Sequence, residues 1–185
     1  MDKREEKTLN AVYEALRLEL GNKEYQDISV SDLLTTAHIS RSTFYSHFKS
    51  KEDVLVGVCS TIFDHVFSPS QQKEADHDFS GSSHFDYRHL ITHIFYHFYD
   101  EKSLISAILS SRSGAPIFLE NLKERSLPLM SACVKSHTFY KPGIPEEMQT
   151  HQLTESFVSL LRYWVSGGCV LTPEEMTDYF SRLYA

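Results

Sequence analysis

Apolar positions in the first third of the chain recur every third or fourth residue, and polar caps divide them into short runs. Leu9, Val12, Tyr13, Leu16 and Leu20 share one helical face, and Gly21-Asn22 closes that segment. Ser29-Val30-Ser31-Asp32 has the form of a capping box. In a box a hydroxyl and a carboxylate three residues apart satisfy each other's backbone amides, so a short helix through Ala37 is predicted. His38-Ile39-Ser40 predicts a turn, with Ser40 capping a third short helix over Arg41 to His47. Ser50-Lys51-Glu52-Asp53 repeats the box and predicts a fourth helix through about Phe67.

Residues 68–84 interrupt this pattern with Ser, Gly, Pro, Gln, Asp and His, and predict a mobile loop between two helices. A helix with an apolar face follows at Tyr87, Leu90, Ile91, Ile94, Phe95 and Phe98. Further helices are predicted at 103–111 and 115–137, followed by a break at Pro142-Gly143-Ile144-Pro145. Pro145-Glu146-Glu147 suits the first turn of a long helix that ends at Gly167-Gly168. Thr172-Pro173-Glu174-Glu175 combines a cap, a proline at the first helical position and a closing glutamate, and starts the last helix. No strand alternation of useful length, internal repeat or heptad run is present. The expectation is an all-α fold: an N-terminal three-helix domain over 1–50, a connecting helix at 51–67, a mobile loop at 68–85, and a helical domain over 86–185.

Composition narrows the class. A 41% hydrophobic and 23% charged chain of 185 residues can bury a core. No apolar run approaches the ~18 residues needed to cross a bilayer. Met1-Asp2-Lys3-Arg4-Glu5-Glu6 has no apolar stretch behind its basic residues, so no signal peptide is expected. Cys59, Cys133 and Cys169 are odd in number and far apart, and read as reduced thiols of a cytoplasmic protein. The net charge of −7 argues against a generally polyanion-binding surface. Residues 40–51, however, carry Arg41, Lys49 and Lys51 and no acid. A small positive face on an acidic body can bind DNA locally while suppressing contact elsewhere.

That face coincides with three short helices joined by a tight turn, the form of a helix-turn-helix with its motif at 29–48. Such a motif requires the second helix to pack the third while leaving one face of the third free for a major groove. Leu33, Leu34 and Ala37 can bury against Ile39, Phe44 and Phe48, and Phe44 and Phe48 share a face. Ser42, Tyr45 and Ser46 fall opposite, Thr43 lies beside them, and Arg41 and His47 flank them. These side chains suit phosphates and base edges. Lys51, in the first turn of the fourth helix, is expected to meet a phosphate together with the backbone donors there.

The run SVSDLLTTAHISRSTFYSHF at 29–48, followed by KSKEDVL, resembles the signature of the TetR family, and Tyr45, His47, Phe48, Lys51, Glu52 and Leu55 all match it. The matching stretch covers about residues 7 to 58. The resemblance implies a DNA-binding regulator in which Arg41, Ser42 and Thr43 contact bases or phosphates and Tyr45, His47 and Lys51 hold the backbone; Lys49 is a further DNA-binding candidate. The family usually has Gly where this chain has His38, and a left-handed backbone there would cost a non-Gly residue about 1 kcal/mol.

In the C-terminal half, Leu160-Leu161-Arg162-Tyr163-Trp164-Val165-Ser166-Gly167-Gly168 and Thr172-Pro173-Glu174-Glu175-Met176 are similar to the ends of TetR-type regulators. There the last two long helices pair with their symmetry mates. Leu153, Phe157, Leu160, Leu161 and Trp164 form one stripe, and Met176, Tyr179, Phe180 and Leu183 another. Both are expected at a homodimer interface, with intramolecular core as the competing reading. A two-fold dimer implies a palindromic operator on double-stranded DNA. A pocket for a small-molecule effector is expected around Phe95, Phe98, Tyr99, Phe118 and Trp164, with Phe139 and Tyr140 as further candidates.

His89, His93 and His97 are spaced i, i+4, i+8, and His77, Asp78, His84 and Asp86 precede them. Helical geometry turns His89 away from the others. The alternative of a zinc-type metal-responsive switch therefore rests on His93 and His97 completed from the loop, against a plain solvated face. A TetR-like activator is the other alternative to a ligand-released repressor. No glycine-rich phosphate loop or flanked nucleophile points to an enzyme, so no catalytic residue and no cofactor is expected.

Overall fold

The computed structural model describes residues 3–67 and 87–184, with the side chain of His65 excepted. The expected loop at 68–85 lies outside the described residues. Among the described residues all long elements are α-helical: α1 Lys3–Leu20, α2 Val30–Ala37, α3 Arg41–Tyr45, α4 Lys51–Phe67, α5 Tyr87–Asp100, α6 Lys102–Ser110, α7 Gly114–Lys135, α8 Glu146–Ser166 and α9 Pro173–Tyr184. A single 3₁₀ turn at Tyr25–Asp27, which the periodicity does not reveal, joins α1 to α2. The all-α expectation holds, with most helix ends within one or two residues of their predicted places.

Chain contacts separate two units, Met1–Thr61 with Ser103–Asn121, and Ile62–Lys102 with Leu122–Ala185. The chain passes between these units inside α4, at the start of α6, and inside α7. One reason is visible at Gly114, where a Cβ would stand 3.3 Å from Tyr25 Cδ1. The start of α7 closes over the buried Tyr25 ring and joins the N-terminal unit.

In the N-terminal unit α1 packs on α2. Val12, Leu16, Ile28, Leu33, Phe44, Val54, Leu55 and Val58 are essentially fully buried. Each such side chain contributes about 1.5–3 kcal/mol of transfer free energy. Phe44 and Phe48 stack at 5.3 Å, and Tyr13 meets Phe48 edge-on at 5.8 Å. Polar groups then fix α2 against α1. The Thr36 hydroxyl donates to Glu19 at 2.6 Å, and the Lys23 ammonium bridges Glu19 at 3.1 Å and Asp32 at 2.9 Å.

The second unit is centred on α5, α8 and α9. α5 lies against α9, where Arg88 pairs with Asp178 at 3.1 Å, Thr92 donates to Thr177 at 2.9 Å and Tyr96 donates to Glu174. Phe95 contacts both Phe157 and Trp164, and Phe180 contacts both Phe139 and Phe157. α7 continues through Pro128, which removes one helical hydrogen bond without ending the helix. It stops at Lys135, two residues before the predicted end, because His137 takes a left-handed conformation at φ 60°. The Thr138 amide then closes on the Cys133 carbonyl at 3.1 Å. The three cysteines are free and buried, and burial pushes the Cys59 thiol up to about 12 and that of Cys133 up to about 11.

Candidate nucleic-acid interface

The capping box of α2 forms as its residues dictate. Ser29 Oγ accepts the Asp32 amide at 3.2 Å, and Asp32 accepts the Ser29 amide at 2.8 Å. The Ser29 hydroxyl and amide, with the Lys23 ammonium, hold the Asp32 carboxyl far below the usual carboxylate range. The hydrogen bond from Thr36 lowers Glu19 in the same direction. At the other end of α2, His38 adopts φ 53° and ψ 43°, the left-handed conformation suspected from the missing glycine. Its amide and that of Ile39 return to Thr35 and Leu34, which turns the chain sharply into α3.

Ser40 caps α3 and organises its hydroxyls. Its Oγ accepts the Thr43 amide at 3.1 Å and lies 2.9 Å from Ser42 Oγ and 2.8 Å from Thr43 Oγ1. α3 ends at Tyr45, short of the predicted His47, because the Ser46 hydroxyl bonds the Thr43 carbonyl and the His47 amide tightens onto Phe44. Phe44 is wholly buried and Phe48 nearly so, whereas Arg41, Ser42, Tyr45 and Ser46 are exposed. Tyr45 is 51% exposed despite its edge contact with Phe44. Thr43 and His47 are half-buried beside this face, and Lys49 is exposed just beyond it. The arrangement is a short helix anchored by two phenylalanines that presents a guanidinium, hydroxyls and a phenol outward.

Lys51 is placed differently from the expectation of a phosphate-facing ammonium. Its Nζ donates to the carbonyls of Tyr25 at 2.8 Å, Gln26 at 3.2 Å and Ile28 at 2.8 Å, and lies 4.6 Å from the Tyr25 ring centroid. An ammonium has three donors, and all three are engaged. The start of α4 is capped by its own residues: Asp53 accepts the Lys49 amide at 2.7 Å, and the Asp53 amide reaches Ser50 Oγ at 3.4 Å. Nothing in the local sequence pattern signalled Lys51's partners, because they lie 23 to 26 residues away in a turn that was itself not predicted.

The expected dimer stripes are largely core. Leu153, Phe157, Leu161, Trp164, Met176 and Phe180 are each at most 2% exposed within the single chain, so they are corrected to intramolecular packing. Their broad stripes serve two faces of one α5–α8–α9 assembly. Tyr179, at 46%, and Leu183, at 65%, stay exposed, Leu160 is intermediate, and Tyr163 at 74% exposure joins them, although periodicity did not single it out.

The aromatic residues expected to line an effector pocket are also packed. Phe95, Phe98 and Phe118 are fully buried, Trp164 nearly so, and Tyr99 lies half-buried beside Trp164 with the Lys102 ammonium 3.6 Å over its ring. Phe118 belongs to the N-terminal unit and the other four to the second. A cavity of about 350 Å³ in the second unit is lined by Phe139, Ile144, Met148, Leu153, Leu183 and Tyr184, together with Lys141, Gln149 and Gln152. Of the expected aromatics, only Phe139 is among these. Gln149 braces it by accepting the Lys141 amide and donating to the Lys141 and Ile144 carbonyls.

His93 and His97 do meet, with Nε2 atoms 2.9 Å apart. His93 is buried, not solvated. The partners proposed for a metal site lie outside the described residues, and among the described residues no cluster of three metal-ligating side chains forms. No described helix is long and apolar enough to cross a membrane.

Comparison with known proteins agrees with this geometry. The family described as "Bacterial regulatory proteins, tetR family" matches residues 13–58, and "Transcriptional regulator C-terminal region" of the TetR group matches 86–185. The chain is 23% identical to the HTH-type transcriptional regulator YxbF of Bacillus subtilis over 97% of its own length and 45% of that protein. It is 33% identical to DhaS of Lactococcus lactis, an activator of the dhaKLM operon, over 38% of its own length and 35% of that protein. It thus spans less than half the length of each of these two curated relatives. The crystal structure of a TetR transcriptional regulator from Streptococcus agalactiae superposes with a TM-score of 0.72 at 25% identity, covering 99% of this chain and 96% of that one. The chain belongs to the TetR family of transcriptional regulators.

Proposed function

We propose that this protein is a sequence-specific DNA-binding regulator of the cytoplasm, acting as a homodimeric repressor that a small molecule releases from a palindromic operator. The observation that carries this reading is the division of α3 into two faces. Phe44 is sunk in the core while Arg41, Ser42, Tyr45 and Ser46 stand exposed on a helix anchored at both ends. A helix held in this way can enter a major groove without losing its packing. Arg41, Ser42 and Thr43 are assigned to base edges and nearby phosphates, and Tyr45, His47 and Lys49 to the backbone.

Dimerisation is assigned to the exposed Tyr163 of α8 and Tyr179 and Leu183 of α9, with the half-buried Leu160. Large apolar side chains that their own chain leaves uncovered favour a second copy. The cavity lined by Phe139, Ile144, Met148 and Leu153 supports a largely apolar effector, and its volume lies at the small end of the range for ligand sites, roughly 300–1,000 Å³. Such an effector shifts the operator-binding equilibrium only by its differential affinity for the two states.

Selection from a pool of random duplexes at fixed salt tests the reading. An enriched palindrome is expected, and Tyr45→Ala should weaken binding to all sequences alike while changes at Ser42 or Thr43 alter the preferred operator. Selection of a single non-repeated half-site would remove the dimeric reader. A reporter placed behind the selected operator should be repressed, and stimulation instead would make the protein an activator.

A further inference from the structure

We infer that Lys51 is a positioning residue for DNA reading: its ammonium fastens the junction between α3 and α4 to the 3₁₀ turn, and it neutralises no DNA phosphate. This rests on the reading of α3 as the groove-entering helix. Lys51 opens α4 three residues after Phe48, the side chain that anchors the end of α3. Its three donors converge on the carbonyls of Tyr25, Gln26 and Ile28 within 3.2 Å, and the Tyr25 ring face lies beneath the charge. A phosphate could recruit this ammonium only by displacing carbonyls that would lose a charge-assisted partner.

The Tyr25 ring is covered from its other side as well, while Gln26 and Asp27 of the turn stay exposed. Tyr25 is 0% exposed, and the beginning of α7 abuts its ring at Gly114. The turn is therefore a fixed seat, and Lys51 is the strut from the reading helix to it. Arginine cannot replace the strut. Its planar guanidinium spreads its donors over three nitrogens, whereas the three carbonyls here surround one nitrogen.

The test measures affinity as a function of salt for wild type, Lys51→Met and Lys51→Arg, using a mixed-sequence duplex of about 20 base pairs, two helical turns. Positioning predicts that Lys51→Met binds about tenfold more weakly, from the loss of charged hydrogen bonds, with an unchanged slope of log affinity against log salt. Lys51→Arg should behave like Lys51→Met although it keeps the charge. A slope reduced by about two per bound dimer in Lys51→Met, one phosphate for each copy, with wild-type binding by Lys51→Arg, would overturn the inference. Nitrogen-detected NMR of the lysine ammonium groups in the unaltered protein covers the case in which the variants fail to fold. The Lys51 ammonium should be protected from exchange and unmoved when the duplex is added; rapid exchange, or a shift on DNA addition, would also overturn it. The ammonium signal of the free protein reports the seat even if Tyr45→Ala leaves DNA binding intact and the reading of α3 itself fails.

Discussion

Gly57 lies directly beneath the ring of Tyr13: a Cβ at position 57 would stand 2.4 Å from Tyr13 Cε1 and Oη. The ring is in turn packed edge-on against Phe48, so the closeness of α1 and α4 is transmitted to the anchor of α3. Gly57→Ala gains about 1 kcal/mol of helix propensity but forces overpacking that costs roughly 1–3 kcal/mol. Denaturant unfolding should show a net loss of stability, and duplex binding should weaken although residue 57 is not assigned to DNA. Unchanged stability would mean that the Tyr13 ring swings aside freely.

His38 should be improvable. It holds φ 53° at the turn between α2 and α3, a conformation that a β-carbon disfavours. His38→Gly removes that strain but enlarges the unfolded ensemble, leaving an expected gain of about 0.5–1 kcal/mol. Thermal unfolding checks it, and a lower midpoint would show that the imidazole contributes more than its backbone costs.

Acid should weaken the N-terminal unit through Asp32 and Glu19. Both carboxyls are held below their ordinary values when folded, by Ser29 and Lys23 for Asp32 and chiefly by Thr36 for Glu19. The unfolded chain binds more protons in this range, so the stabilisation is fully present above a pH of about 5 and is lost as pH falls through the folded values. Asp32→Asn should lower stability at neutral pH and flatten the acid slope measured by circular dichroism. An unaltered slope would assign the acid sensitivity to other groups.

The exposed α8 and α9 residues should govern assembly. Tyr163→Asp places a charge in the proposed interface and should weaken self-association by about 2 kcal/mol or more, seen as monomer in sedimentation. Secondary structure should be unaffected, because Tyr163 is 74% exposed in the single chain. Persistence of the wild-type association would move the interface elsewhere.

Local signals were enough to read the helices of the N-terminal unit, and the physical reason is that caps and turns act over three or four residues. The Ser29–Asp32 box, the Ser40 cap and the left-handed His38 are settled by neighbours in the chain, and the spacing of four puts Phe44 and Phe48 on one face. The exposed polar face of α3 follows from them, so most of the candidate interface was legible in advance. Periodicity also identified apolar stripes on α8 and α9, but a stripe says only that a face is covered, not by what. Tertiary packing made Leu153, Phe157, Leu161, Trp164, Met176 and Phe180 a core within the chain and left Tyr163, Tyr179 and Leu183 outside. The role of Lys51 was decided in the same way. Its residue type and place in the motif suited a phosphate, but three carbonyls more than twenty positions earlier in the chain surround its ammonium, and only the folded backbone brings them there.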